Sequence, residues 1–268
     1  MAGIAVFLGF WISNSSLSFT SIVLLVVSAF LATGFGNVIN DLVDIKTDCI
    51  SHPDRPLPKG EISIRAAKIY LLFLLCGALV FSYCVSITHG NATLIPLGIL
   101  IFYSFYLKGT PLAGNFVVAS LVAYPLLYGG LGAPDFTNLI TPAILAFLLN
   151  ISREIVKDLQ DKTGDQIAGY RTTASISAKV LRRIIYVQSL LYISVLVLTI
   201  ITHLFGMTYT IICLGAAIPV HILRTIWISQ NNWESKLSKI SGFFKIEMLI
   251  GLVALTADHL FTSYFFPT

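Results

Sequence analysis

Charge is what this chain has least of. Only 11% of its 268 residues are Asp, Glu, Lys or Arg, whereas 56% are hydrophobic, and the mean hydropathy is +0.85. Soluble domains carry about 25% charged residues, so a water-soluble surface on a chain of this size is excluded. Basic residues are absent ahead of Lys46. A cleavable signal peptide opens with a basic segment before its apolar stretch, so the first apolar run reads instead as a span that starts at once. Cysteine is sparse: Cys49, Cys76, Cys84 and Cys213 are scattered without a CxxC pair, which suggests neither a zinc site nor a disulfide framework. The histidines, His52, His89, His203, His221 and His259, lack HExxH or comparable spacing and read as packing or loop residues. Membrane topology and attraction to anionic lipid account for most of the net charge of +4, and nothing points to nucleic acid.

What the chain has is long apolar runs. About 20 apolar residues cross a bilayer as a helix, and nine candidate spans are expected at 2–13, 18–38, 64–87, 92–107, 115–131, 138–156, 184–203, 208–228 and 243–264. The runs are continuous rather than alternating, which favours helices over barrel strands. The expected fold is therefore all-α and polytopic, a single transmembrane domain over residues 1–268.

The 17 Lys and Arg residues segregate. They follow the second span (Lys46 to Lys68), the fourth (Lys108), the sixth (Arg153 to Arg183) and the eighth (Arg224 to Lys245), and none lies near Asn14, His89, Asp135 or His203. The positive-inside rule makes the basic face cytoplasmic. The N-terminus is then inside and the C-terminus outside, in a multi-pass protein of the cell membrane.

Eight of the 13 carboxylates fall in two groups just past the cytoplasmic ends of apolar runs: Asp41, Asp44, Asp48 and Asp54, then Glu154, Asp158, Asp161 and Asp165. If the second span stays helical, Asn40, Asp44 and Asp48 share one face at i, i+4 and i+8. Asp161 and Asp165 are likewise four apart, with Asp158 one turn before. Like charges at this spacing weaken a helix, and a hard divalent cation compensates them. Magnesium takes one or two carboxylates together with waters and substrate phosphates. A single acidic stretch at a membrane edge reads as a solvated loop; two at equivalent helix ends on one face read as a diphosphate site. Asp44 and Asp161 lie 117 positions apart, a coarse echo between halves of the kind that places sites at repeat interfaces.

The NxxxDxxxD pattern of Asn40, Asp44 and Asp48, with the later DxxxD of Asp161 and Asp165, resembles the UbiA-type intramembrane prenyltransferases over nearly the whole chain. The stretches from Gly36 to Asp41, Asp54 to Pro58, Arg153 to Asp158 and Gly164-Asp165, with Lys108 and Gly114-Asn115, resemble the archaeal branch that makes ether lipids. The resemblance implies transfer of a geranylgeranyl group from its diphosphate to geranylgeranylglyceryl phosphate, with magnesium. It also implies nine helices around a central cavity, capped by cytoplasmic loops. Partners are then a prenyl diphosphate, a lipid-phosphate acceptor and the bilayer, with no obligatory protein partner evident.

On that resemblance Asn40, Asp44 and Asp48 hold one magnesium, and Asp158, Asp161 and Asp165 the other, with Asp44, Asp48, Asp161 and Asp165 central to catalysis. Asp41 is off the metal-facing stripe and, with Asn115, joins the substrate-binding set. Arg55, Lys108, Arg153, Lys157 and Lys162 are candidate phosphate clamps, each of which also serves the topology. Arg153 stands out because it falls inside an apolar end, where charge is costly and usually functional. Tyr103 and Tyr106 offer π faces to an allylic cation; an interfacial aromatic belt accounts for the same pair. The two prolines of Arg55-Pro56-Leu57-Pro58 stiffen a basic loop beside the first cluster, which suits a lid or a simple turn.

The chain opens at Met1-Ala2-Gly3-Ile4 without the polar and basic lead of that family, so either a truncated start or a differently built acceptor site is expected. Alternatives are an aromatic acceptor, of quinone or haem-modifying type, within the same family, and a transporter, whose charges line the midplane rather than one face. A CDP-alcohol phosphotransferase is disfavoured because no Asp-Gly dipeptide exists to build its DGxxAR run.

Overall fold

The computed structural model describes residues 1–51, 53–167 and 169–265; His52, Ala168 and the last three residues lie outside them. All regular structure among the described residues is helical. Helix α1 spans Ala2–Ile12, α2 Phe19–Val43, and α3 Ile45–Ser51. Ser18 starts α2 by accepting a hydrogen bond from the Ser21 amide at 3.1 Å, and Ser63 starts α4 (Ile64–Val85) in the same way from Ala66. Such caps satisfy first-turn amides that have no partner within the helix. Ser86, in extended backbone, both ends α4 and caps α5 (Ile87–Phe102), so one residue joins two spans.

Helix α5 runs on as a π turn, Tyr103–Leu107, before α6 (Ala113–Gly129) and α7 (Ile140–Ile167). After α8 (Ala178–Ile201), a bent rod consists of α9 (Met207–Ile212), a second π turn (Cys213–Ala217) and α10 (Ile218–Ser229), and α11 (Leu237–Phe265) closes the chain. Proline explains two irregularities. Pro219 has no N–H to give the Gly215 carbonyl one turn back, and the second π turn sits there. Pro96 likewise leaves the Ala92 carbonyl without its helical partner, and Tyr124 of α6 donates its hydroxyl to it at 2.7 Å.

Seven helical segments are long and apolar enough to cross a bilayer; α1 and α6, of 11 and 17 residues, are shorter apolar helices. The chain is a multi-pass membrane protein. The two short rods coincide with the first and fifth expected spans, and they meet backbone to backbone. A Cβ added at Gly9 would lie 2.0 Å from the Leu126 carbonyl oxygen, and one at Gly129 would lie 1.9 Å from that of Val6. Close approach through small residues replaces the hydrophobic drive that helices lack in lipid. Helices α2 and α4 pack on each other, with Ser28 donating across to the Ala78 carbonyl at 2.7 Å. Asp258 of α11 is buried and accepts from the Gly206 and Tyr209 amides at 2.8 and 3.0 Å, capping α9 from another helix.

Span ends depart from the hydropathy reading. Helix α2 continues to Val43 rather than residue 38, and α7 to Ile167 rather than 156; α8 begins at Ala178 rather than 184, and α11 at Leu237 rather than 243. Apolar runs stop at the first charges, whereas helices carry Lys and Arg into the interface on long apolar stems. Arg224 requires a larger correction. It is no topology charge on the basic face but is 1% exposed inside the bundle, donating from Nε to Glu247 Oε1 at 2.5 Å with its guanidinium 4.0 Å from the Phe244 ring centroid. Arg224 Nη2 also reaches His221 Nδ1 at 2.8 Å. Because a guanidinium only donates, His221 Nδ1 accepts.

Candidate active site

The first acidic cluster lies at a joint. Helix α2 ends at Val43, Asp44 takes a non-helical conformation (φ −87°, ψ 0°), and Asp48 belongs to α3. The expected single stripe is therefore interrupted, although the Asp44 amide still bonds the Asn40 carbonyl and the Asp48 amide that of Asp44. The second cluster, by contrast, lies entirely on continuous α7, so the echo between the two clusters is one of sequence and not of geometry.

The carboxylates of the first cluster have specific partners. Asp44 and Asp48 are 8% and 4% exposed. Lys108, from the end of the first π turn, donates to Asp44. Arg55 donates to Asp48 at 2.7 Å and lies 3.5 Å from Asp41, which ties the stiff Arg55-Pro56 loop to the cluster and turns Asp41 towards Arg55. Ser104, inside the π turn, donates to Asn40 Oδ1 at 2.8 Å. π turns recur at functional sites because they re-aim side chains out of helical register, and this one delivers Tyr103, Ser104 and Lys108.

On the second cluster, Asn115 of α6 donates to Asp158 at 2.9 Å, and Thr172 to Asp165 at 3.0 Å. The connection after α7 then bridges the clusters. The Tyr170 amide bonds the Asp165 carbonyl at 2.9 Å, while its hydroxyl reaches Asp44 at 3.4 Å. A small open pocket lies beside the second cluster, lined by Tyr103, Lys108, Thr110, Asn115, Glu154 and Asp158 among others, and Lys108 links it to Asp44. The structure thus brings Asn40, Asp44, Asp48, Arg55, Tyr103, Lys108, Asn115, Asp158 and Asp165 to one end of the bundle.

Other expected residues are more open to solvent. Asp161 and Lys162 are exposed on α7, Asp161 one turn before Asp165. Arg153 donates to its neighbour Glu154 at 2.6 Å, and Lys157 lies 3.9 Å from the same carboxylate at the rim. Tyr103 faces the pocket, whereas Tyr106 is 70% exposed beside Phe102 as an interfacial ring. Sequence reasoning gave no role to Ser104, Tyr170 or Thr173, whose partners are remote in the chain, to Thr172, which bonds Asp165 seven residues back, or to Glu154, although it stands in the second acidic group.

Among the described residues no three His, Cys, Asp or Glu side chains converge closely enough to hold a metal ion by themselves. Magnesium does not require such a trio when substrate phosphates and waters complete its shell. The donors present are all hard oxygens, and buried Asp44 and Asp48 already face cationic groups. The residues fit the ion.

An all-helical membrane bundle, with two acidic clusters meeting a lysine over one pocket, is the setting of an intramembrane transferase acting on phosphorylated lipid. The chain belongs to the UbiA prenyltransferase family, whose model matches residues 2–249. It is 32% identical to digeranylgeranylglyceryl phosphate synthase from Methanopyrus kandleri over 266 residues, 96% of this chain and 94% of that protein. A solved structure concerning digeranylgeranylglyceryl phosphate synthase in membranes superposes with a TM-score of 0.81 at 28% identity, covering 97% of this chain and 93% of the other. A UbiA homologue from Archaeoglobus fulgidus, bound to GPP and Mg2+, shares the fold with a TM-score of 0.64 at 18% identity, over 95% and 96% of the two chains.

Proposed function

We propose that the chain acts as one unit that transfers the geranylgeranyl group of geranylgeranyl diphosphate to the free hydroxyl of geranylgeranylglyceryl phosphate, with magnesium. The observation that carries this reading is that Lys108, which pairs with Asp44 of the first cluster, lines one pocket with Asp158 of the second. Relatives named for this reaction, aligned over nearly the full chain, support the same substrate class.

In this reading Asn40, Asp44 and Asp48 on one side, and Asp158, Asp161 and Asp165 on the other, would hold the magnesium. When bound, the ion neutralises the diphosphate and makes it a better leaving group. Lys108 and Arg55 add fixed positive charge where that leaving group gathers its own, and Lys157 and Lys162 stand at the rim where phosphates arrive. The bond from the prenyl carbon to the diphosphate oxygen breaks, and its electron pair departs with diphosphate. A lone pair of the acceptor hydroxyl forms the ether bond, and the hydroxyl proton passes to the released diphosphate. Tyr103 presents its ring to the allylic carbon, and the surrounding helices keep bulk water from quenching it. In this reading this face and the N-terminus are cytoplasmic and the C-terminus outside, which the segregation of basic residues supports.

The test incubates purified protein with geranylgeranyl diphosphate, magnesium and either geranylgeranylglyceryl phosphate or an aromatic acceptor. Ether product with the first acceptor is expected. Product only with the aromatic ring would move the assignment to the quinone or haem-modifying type, and product with neither would end it.

A further inference from the structure

We propose that Thr173 is a positioning residue for this transfer, acting through Asn115 on the Asp158 carboxylate; the inference rests on the function proposed above. The hydrogen bonds involved can run in only one direction. The Leu112 amide can only donate, and it donates to Thr173 Oγ1 at 2.8 Å. The Thr173 hydroxyl proton falls on Asn115 Oδ1. With its carbonyl oxygen so engaged, Asn115 turns its NH2 the other way, where it donates to Asp158 Oδ2 at 2.9 Å. A carboxylate only accepts, so the series ends there.

Burial makes each link matter. Thr173 is 0% exposed and Asn115 5%, so water does not stand in for a missing partner. Leu112 holds φ +62°, a left-handed conformation that residues other than glycine rarely take, and its amide is aimed at the threonine. Without the Thr173 hydroxyl only Asp158 itself selects the amide orientation of Asn115, and the Oδ1 end loses its anchor. The flipped form would set an oxygen against Asp158, and the carboxylate would lose its fixed plane at the pocket it lines with Lys108. Neighbouring groups reinforce the placement, since Thr172 holds Asp165 directly and Tyr170 reaches Asp44. Residues of a single connection therefore set carboxylates of both clusters.

The experiment uses the full chain in detergent, with transfer kinetics and, separately, calorimetric binding of geranylgeranyl diphosphate at fixed magnesium. Thr173→Val keeps the shape and removes the hydroxyl. Loss of a group that orients a ligand costs about 10–100-fold in affinity or activity, so KM and Kd for the diphosphate are expected to rise by at least ~10-fold. Thr173→Ser restores both. In an Asn115→Ala background Thr173→Val adds nothing further, because the two residues act in series. Wild-type binding by Thr173→Val, or penalties that add across Asn115→Ala, overturns the proposal. Should Thr173→Val fail to fold, Asn115→Asp, which keeps the bond from Thr173 but sets a carboxylate against Asp158, must show the same rise in Kd, and unchanged binding there counts against it equally. A wild-type chain that neither binds nor transfers from the diphosphate defeats the function itself; a working wild type beside an unimpaired Thr173→Val defeats only this inference.

Discussion

Lys108 donates to Asp44 from the end of the first π turn, joining a helix terminus to the joint between α2 and α3. This ammonium stands between the first acidic cluster and the pocket that Asp158 lines. Replacing it by methionine keeps the stem and removes the charge. Loss of one preorganised charge at a developing anion costs about 10²–10³ in rate, so Lys108→Met is expected to lower kcat/KM by that factor, and to lower the melting temperature as well because Asp44 loses its counter-charge. Steady-state kinetics against geranylgeranyl diphosphate, with a melting curve, provides the check.

The magnesium reading makes a paired demand. Asp44→Ala and Asp161→Ala should each abolish transfer while the protein elutes from size exclusion as the wild type does, and a chelator should have the same effect reversibly. Asp161 is the sharper of the two, because its exposure means that a merely structural role would leave activity intact. Turnover that survives both substitutions, or excess chelator, removes the ion from the reaction.

The packing of α1 on α6 leaves no space for side chains at Gly9 and Gly129. Gly129→Val should separate the two short helices and lower stability by about 1–3 kcal/mol, the usual range for overpacking, and more if the backbone cannot yield. Thermal unfolding in a mild detergent measures this, and Gly215→Ala serves as the control, since a Cβ there meets nothing within 4 Å.

Glu247 is 0% exposed and compensates Arg224. Glu247→Leu alone leaves a buried guanidinium without its counter-charge, and breaking such a pair costs about 3–5 kcal/mol. The double variant Arg224→Met with Glu247→Leu should recover most of that loss, since an apolar pair of similar volume is often neutral or better. Equal destabilisation in the single and double variants would show that the ion pair itself, not the stranded charge, supports the fold.

Much of the site could be read from the sequence because carboxylates are so costly in a membrane chain that two groups of them stand out. Asn40, Asp44, Asp48 and Asp158, together with Lys108 and Tyr103, lie at one end of the bundle. What escaped it has two physical causes. Helix ends such as Val43 and Ala178 extend past the apolar runs, since hydropathy falls at the first charge while the helix does not. Hydrogen bonds that join remote residues leave no local signal. Tyr170 to Asp44, Thr173 to Asn115 and Arg224 to Glu247 depend on which helices become neighbours. Charge counting also treats Arg224 like any other basic residue near the eighth span, because it cannot tell a rim from an interior.

The single-residue joint at Ser86 has a broader consequence. A link that short leaves the far ends of α4 and α5 almost no liberty to drift apart. The site lies at the opposite end of these two rods, where the stretches after α3 and α7 bring Arg55, Tyr170, Thr172 and Thr173 to its polar groups. Diversification of what such a scaffold accepts can proceed by rewriting those stretches alone, while the membrane-crossing rods keep their mutual arrangement.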